Sequence, residues 1–187
     1  MIASQPMVRA GALDSPSADK MARFIQLCSA SGIPLLFLVD TPGNMVGPDA
    51  EATALLRHSA RPALALAHAR VPFITVVLRK SYGLAQFCMG SRMMGPLLHV
   101  VWPTAEFGEM GMQGAANILK SSSQGASADQ SAAALAESYS PKSYAAQFRT
   151  DDIIDPADTR DIVARALRYA TVTRDEPSGA GRWVDTW

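Results

Sequence analysis

Pro72-Phe73-Ile74-Thr75-Val76-Val77-Leu78 is a continuous run of branched and aromatic residues, closed behind by Arg79-Lys80-Ser81-Tyr82-Gly83. A run with no polar alternation reads as a strand buried on both faces of a sheet. Pro34-Leu35-Leu36-Phe37-Leu38-Val39 has the same character and ends in Asp40-Thr41-Pro42-Gly43. The step from Ile33 to Val71 is 38 residues, about one strand-helix-strand unit. Each run follows a helical stretch, so a parallel sheet with crossover helices is the economical topology and the fold class is α/β.

The flanking helices follow from their punctuation. Ser15-Pro16, a capping residue and a proline at the first helical position, opens a helix that runs to Gly32 with Met21, Phe24, Ile25 and Cys28 on its apolar face. A second helical stretch spans Asp49 to Ala69, with Pro62 expected to kink or split it. A third begins just after Ser81-Tyr82-Gly83 and runs through Met94, so that Met89, Met93 and Met94 fill the core, an acyl-chain pocket or a subunit contact. A strand follows at His99 to Trp102. Ser121 to Ser131 is poor in apolar side chains and reads as a flexible surface loop or mobile linker. The last helix, Pro156 to Thr173, carries Ile162, Val163, Ala166, Leu167 and Tyr169 on one side, and Gly179 to Trp187 is a tail.

Composition narrows the function classes. At 187 residues the chain is large enough to bury a core as one domain, 1–187. Hydrophobic residues make up 48% and charged residues 18%, which excludes a disordered chain. Lys plus Arg and Asp plus Glu number 17 each, so there is no basic excess for nucleic acid. No apolar run reaches the length of a membrane span, and Met1 to Gly11 lacks a secretory pattern, so a cytoplasmic location is expected. Cys28 and Cys88 sit in apolar helical patterns and read as small buried thiols in a reducing compartment.

Two turns carry the candidate chemistry. Asp40-Thr41-Pro42-Gly43 lies at the carboxyl end of a strand, where ligands bind parallel sheets; from spacing alone it reads more simply as a strand-ending turn. Ser81-Tyr82-Gly83-Leu84-Ala85 opens a helix, where unpaired amides favour negative charge. It is either an oxyanion hole or an ordinary helix N-terminus satisfied by water. His58, His68 and His99 have no metal-ligand spacing, and no nucleophile elbow, Walker loop or dinucleotide fingerprint is present; no metal is expected.

Longer matches join these turns. Gly11-Ala12-Leu13-Asp14, Asp19-Lys20, Ala22-Arg23-Phe24, Ile33-Pro34-Leu35, Val39-Asp40-Thr41-Pro42-Gly43, Arg57-His58, Val71-Pro72, Arg79-Lys80-Ser81-Tyr82-Gly83, Met89-Gly90-Ser91 and Trp102-Pro103-Thr104-Ala105-Glu106 stand in order. Near the end come Tyr144-Ala145-Ala146, Asp151-Asp152-Ile153-Ile154 and Pro156-Ala157-Asp158-Thr159-Arg160. In order and spacing the chain resembles the C-terminal half of the carboxyltransferase (beta) subunit of biotin-dependent acyl-CoA carboxylases of the propionyl-CoA type. The resemblance implies a crotonase-like spiral of strand-strand-helix units with a C-terminal helical extension. It also implies carboxyl transfer from carboxybiotin to the α carbon of an acyl-CoA, with no side-chain base: the biotin ureido anion takes the α proton, and two backbone oxyanion holes stabilise the two anions. The hole for the ureido oxygen corresponds to the amides of Gly83, Leu84 and Ala85, and the substrate pocket to Pro42, Gly43, Tyr82 and Phe87.

The family pattern is departed from at two places: Leu84 stands where many members have a second glycine, and Phe87 where propionyl-type members have an aspartate that shapes the acyl pocket. The resemblance starts inside the C-terminal half. It therefore implies an acyl-CoA-binding N-terminal half as partner, together with a biotin carboxyl carrier protein, a biotin carboxylase and a homo-oligomer. The same motifs fit an acyl-CoA decarboxylase subunit running in reverse, or a non-catalytic assembly module of the crotonase fold.

Overall fold

The computed structural model describes residues 1–122 and 128–172. In chain order its elements are β1 (Ile2–Ala3), α1 (Ser15–Ala30), β2 (Leu35–Thr41), α2 (Pro48–Ala52), α3 (Leu55–Ala67), β3 (Phe73–Tyr82), α4 (Gly83–Cys88) and β4 (Leu98–Val101). There follow β5 (Glu106–Gly108), α5 (Met112–Ser122), α6 (Ala128–Ser138), α7 (Pro141–Ala146), β6 (Asp152–Ile153) and α8 (Thr159–Val172). Among the described residues the six strands form one sheet, in the order β1-β2-β3-β4-β6, with β5 paired to the far end of β3. Every pairing is parallel, as the two apolar runs require.

The sheet is covered unequally. On one face Leu35, Phe37, Val39, Phe73 and Val77 meet Ala18, Met21, Ala22, Ile25 and Cys28 of α1, together with Leu66 of α3 and Cys88 of α4. Phe37 and Phe73 pack edge to face at 5.9 Å. On the other face Ile74, Val76 and Val100 pack against Val163 of α8, with Leu36 and Leu38 only partly covered. The β2 run is thus buried on one face and half-buried on the other. Each wholly buried side chain of this set contributes about 1.5–3 kcal/mol by leaving water.

Several boundaries differ from the sequence reading, each for a local reason. The cap of α1 is Asp14 rather than Ser15: its carboxylate accepts from the Ser17 amide, and the Ser17 hydroxyl accepts from the Asp14 amide, a reciprocal capping box. The stretch after Asp49 divides at Thr53-Ala54, where Ala54 takes a left-handed φ of 55°, and not at Pro62, which lies buried inside α3. The helix after Gly83 stops at Cys88. Gly90, with φ 81°, crosses so close to β3 that a Cβ there would lie 2.7 Å from Thr75 Oγ1. The three methionines therefore share no helix: Met89 is buried, Met94 packs on the core and Met93 is exposed.

The strand expected at His99 to Trp102 is Leu98–Val101, and the last helix starts at Thr159 after one 3-10 turn. Tyr169 is exposed, while Ala170 turns inward. The expected loop at 121–131 is partly helical, since α5 reaches Ser122 and α6 starts at Ala128. Its residues 123–127, and the tail from Gly179, lie outside the described residues. Among the described residues no helix is long and apolar enough to cross a membrane.

Candidate functional site

The site is made where β3 changes partners. From Ile74 to Val77 β3 lies between β2 and β4; from Lys80 to Tyr82 it pairs with β5 instead. Across the change Val39 stands opposite Val77 but Thr41 opposite Ser81, so β3 carries two extra residues in a bulge. The bulge frees backbone groups, and Asp40 takes them up. Its carboxylate accepts from the Lys80 amide at 3.2 Å and from Arg79 Nε at 3.2 and 3.3 Å, with Arg79 Nη2 at 3.1 Å. The carboxylate raises the Arg79 pKa, by hydrogen bond first and then by charge, so the guanidinium stays charged.

Asp40 and Thr41 are therefore strand residues, and only Pro42-Gly43 forms the turn. Gly43 sits against the start of α4: a Cβ on it would lie 3.6 Å from the Tyr82 carbonyl oxygen. The two candidate turns of the sequence are thus neighbours at the carboxyl ends of adjacent strands, where a parallel sheet binds ligands.

Gly83 begins α4 with φ 56°, and a Cβ there would stand 3.0 Å from the Glu109 carbonyl oxygen, so both conformation and space call for glycine. Tyr82 provides no side-chain cap. Among the described residues nothing accepts from the amides of Leu84 and Ala85. Leu84 is 39% exposed, whereas Ala85 is wholly buried. A pair of unpartnered donors at a helix start fits an oxygen that carries negative charge.

The expected pocket residues divide in two. Phe87 is partly exposed on the outer side of α4, one turn after Leu84. Tyr82 is turned inward, edge-on to Tyr139 at 5.9 Å, with its hydroxyl donating to a Glu106 carboxylate oxygen. Tyr82 therefore offers an open pocket only its backbone, a correction to its expected place in the lining. Burial, then Glu106, push its pKa up, and it stays protonated. A cavity of about 620 Å³ lies between the N-terminal segment and α1, where Ile2, Val8, Met21 and Phe24 line it; it shares Thr41 and Met89 with the neighbourhood of the turns.

Other groups hold α4 from behind. Gln86 Nε2 donates to the Tyr144 hydroxyl, and the Tyr144 ring stacks on Phe107 at 3.7 Å. The Cys88 thiol donates to the Ser59 carbonyl at 3.2 Å, and burial pushes its pKa up to about 12, which keeps it from acting as a nucleophile. His99 is buried beside Thr150 and held neutral, with a pKa of about 4. His58 Nδ1 lies 2.8 Å from Asp19, which Arg61 also contacts. Among the described residues no three His, Cys, Asp or Glu side chains are grouped as for a metal. Glu106 and Tyr144 stood in the sequence reading only as parts of longer matches, with no role at the turn, and Tyr139 not at all, because only the tertiary fold brings them to α4.

A parallel α/β sheet with paired turns at its carboxyl edge and a backbone-donor helix start is the architecture of the crotonase-like domains of carboxyltransferase subunits. The chain belongs to the carboxyl transferase domain family, whose model matches residues 1–178. It is 41% identical over 186 residues to the methylmalonyl-CoA carboxyltransferase 12S subunit of Propionibacterium freudenreichii subsp. shermanii, covering 95% of this chain and 36% of that protein. It is 39% identical over 186 residues to the propionyl-CoA carboxylase beta chain of Saccharopolyspora erythraea, covering 94% and 34%. The crystal structure of transcarboxylase 12S, a hexamer with methylmalonyl-CoA and methylmalonic acid bound, superposes with a TM-score of 0.86 at 38% identity, over 95% of this chain and 35% of that one. The chain spans about a third of the length of these relatives.

Proposed function

We propose that this chain is a carboxyltransferase half-site that binds carboxybiotin and transfers its carboxyl group to the α carbon of an acyl-CoA held by a partner N-terminal half. The observation that carries the reading is the pair of unpartnered amides of Leu84 and Ala85, beyond a glycine favoured by its left-handed φ and its close approach to the Glu109 carbonyl. Bound carboxybiotin supplies the carboxyl group. The chain's own residues bind and orient: Gly83 turns the chain, and the Leu84 and Ala85 amides donate to the ureido oxygen. Pro42 and Gly43 border the turn, and Phe87 limits the room for the acyl group. Tyr82 and Cys88 are kept protonated and so do not serve as bases, which agrees with chemistry carried by backbone donors.

Biotin reaches the site on a carrier protein loaded by a biotin carboxylase, and the assembly is an oligomer, as for the hexameric 12S relative. Titration of biotinylated carrier protein against the purified chain tests the reading, and mixing with a separately expressed acyl-CoA-binding half completes the test. Saturable carrier binding and transfer activity that rises and saturates with the added half are expected. Absence of carrier binding by the folded chain refutes the reading in favour of an assembly module, and transfer without any partner half refutes the assignment of the thioester site to that half.

A further inference from the structure

Two carboxylates beside the amide turn come from strands on opposite sides of β3 and hold different parts of one segment, Arg79 to Tyr82. From β2, Asp40 accepts from Arg79 and from the Lys80 amide at the bulge. From β5, Glu106 accepts from the Tyr82 hydroxyl, one residue before Gly83. Neither grip follows from the sheet ladder alone: the bulge takes the Lys80 amide from its ladder partner, and Tyr82 is held through its side chain. Without them the segment from Arg79 to Tyr82 joins two ladders of different register through a bulge, an arrangement with freedom to twist. The amides of Leu84 and Ala85 inherit any such twist directly, because a left-handed Gly83 offers little resistance of its own.

We infer that Glu106 and Asp40 are positioning residues, which clamp the segment from Arg79 to Tyr82 between β2 and β5 and thereby set the direction of the Leu84 and Ala85 amides. The inference deepens the proposed function and rests on its reading of those amides as the donor pair. Backbone donors gain their strength from being fixed before the charge arrives, so a supporting group that touches no ligand still tunes the site. Tyr82 links Glu106 to the turn, and its ring, wedged against Tyr139, keeps the hydroxyl from reaching elsewhere. This gives three residues with no direct role in the reaction a reason for their chemistry: an acid, a phenol and an acid, placed around a peptide turn.

The test is nuclear magnetic resonance on the whole chain labelled with 15N-leucine and 15N-alanine, with free biotin as the probe. In the wild type the Leu84 and Ala85 amide resonances are expected to move saturably with biotin. Glu106→Ala is expected to displace these two resonances before any ligand is added and to weaken biotin by about tenfold, the upper end of the net worth of one ordinary hydrogen bond. Resonances of the distant core residues Ala18, Ala22 and Leu66 should stay in place. Glu106→Gln, which keeps an acceptor for the Tyr82 hydroxyl, should restore both signals to within about threefold of wild-type affinity. Tyr82→Phe removes the donor while preserving the ring, and should reproduce Glu106→Ala even if the latter folds poorly.

Undisplaced Leu84 and Ala85 resonances in Tyr82→Phe overturn the clamp and leave the donor-pair reading standing. Displacement of the distant core resonances to the same degree, or no rescue by Glu106→Gln, also overturns it, since that is the behaviour of a residue serving general stability. A wild type whose two resonances ignore biotin overturns the donor-pair reading alone. The clamp is then still decided by the ligand-free displacement.

Discussion

Replacing Leu84 by proline deletes one donor from the turn and little else. In a helix interior proline costs about 3 kcal/mol or more, through a lost hydrogen bond and a clash with the preceding turn. Leu84 is the second residue of α4, its amide has no acceptor among the described residues, and the residue before it is glycine, without a Cβ for the proline ring to strike. The side chain removed is 39% exposed, so the loss of packing is small. Stability should therefore change by less than about 1 kcal/mol, the ordinary range of surface substitutions.

The chemistry should respond very differently. Removal of one oxyanion donor costs about 10²–10³ in turnover, some 2.7–4 kcal/mol. Leu84→Gly keeps the amide and should cost less than tenfold, a bound well below the donor-loss scale. The assay is carboxyl transfer from carboxybiotin to propionyl-CoA by the chain assembled with an acyl-CoA-binding half, with a urea melt of each variant in parallel. Equal losses in the two folded variants, or full turnover in the proline variant, refute the reasoning.

Phe87→Ala should improve a longer acyl-CoA relative to a shorter one by about 1–3 kcal/mol at most; a flat ratio of kcat/KM across acetyl-, propionyl- and longer acyl-CoA places the ring outside the pocket. His99 is held to a pKa of about 4 against 6.5 in the unfolded chain, by burial first and Arg92 next, with Asp151 opposing. Between those values the unfolded chain binds the proton that the folded one refuses, so this contribution is intact above about pH 6.5 and is lost as pH falls to about 4, some 3 kcal/mol in all. Urea melts at pH 7 and pH 4.5 should show a smaller pH difference in His99→Gln than in the wild type, and an unchanged difference counts against the assignment. Ala54→Gly relieves a left-handed φ of 55° at an exposed position and should raise stability by about 0.5–1 kcal/mol, read as a Tm higher by roughly 1–4 °C.

The elements that hold the sheet were legible because their physics is local. Phe73 to Leu78 and Leu35 to Val39 are apolar enough to be strands in any surroundings, and Gly83 after Ser81-Tyr82 marks a helix start by its own freedom. The limits of β3 were not legible: Arg79 to Tyr82 look polar and turn-like, and they become strand only because β5 arrives from further along the chain to pair with them. Pro62 misled for a related reason, since its buried place in α3 is decided by tertiary packing, while the actual break at Ala54 carries no glycine to announce it. In the site, the donor turn stood out through the order of its residues, whereas the roles of Asp40 and Glu106 depend on strand neighbours that no local window contains. Tyr82 was legible as a site residue but not in its direction, because an inward ring needs the Glu106 carboxylate and the Tyr139 ring to receive it.

The late arrival of β5 also sets an order of assembly. Phe107 of β5 donates its amide to the Tyr139 carbonyl and stacks on Tyr144, and Gly108 runs so close beneath Tyr139 that a Cβ would lie 2.3 Å from the ring. Gln86 reaches Tyr144 across 58 residues of chain. During synthesis, β1 to β4 with α1 and α3 have all they need to close while the donor turn is still missing its far wall. The turn is finished only when the aromatic pair Tyr139 and Tyr144 has left the ribosome and folded back. A chain cut short before Tyr139 would keep the apolar layers of the first four strands and lose the shape of the turn, so the turn takes its final form only late in synthesis.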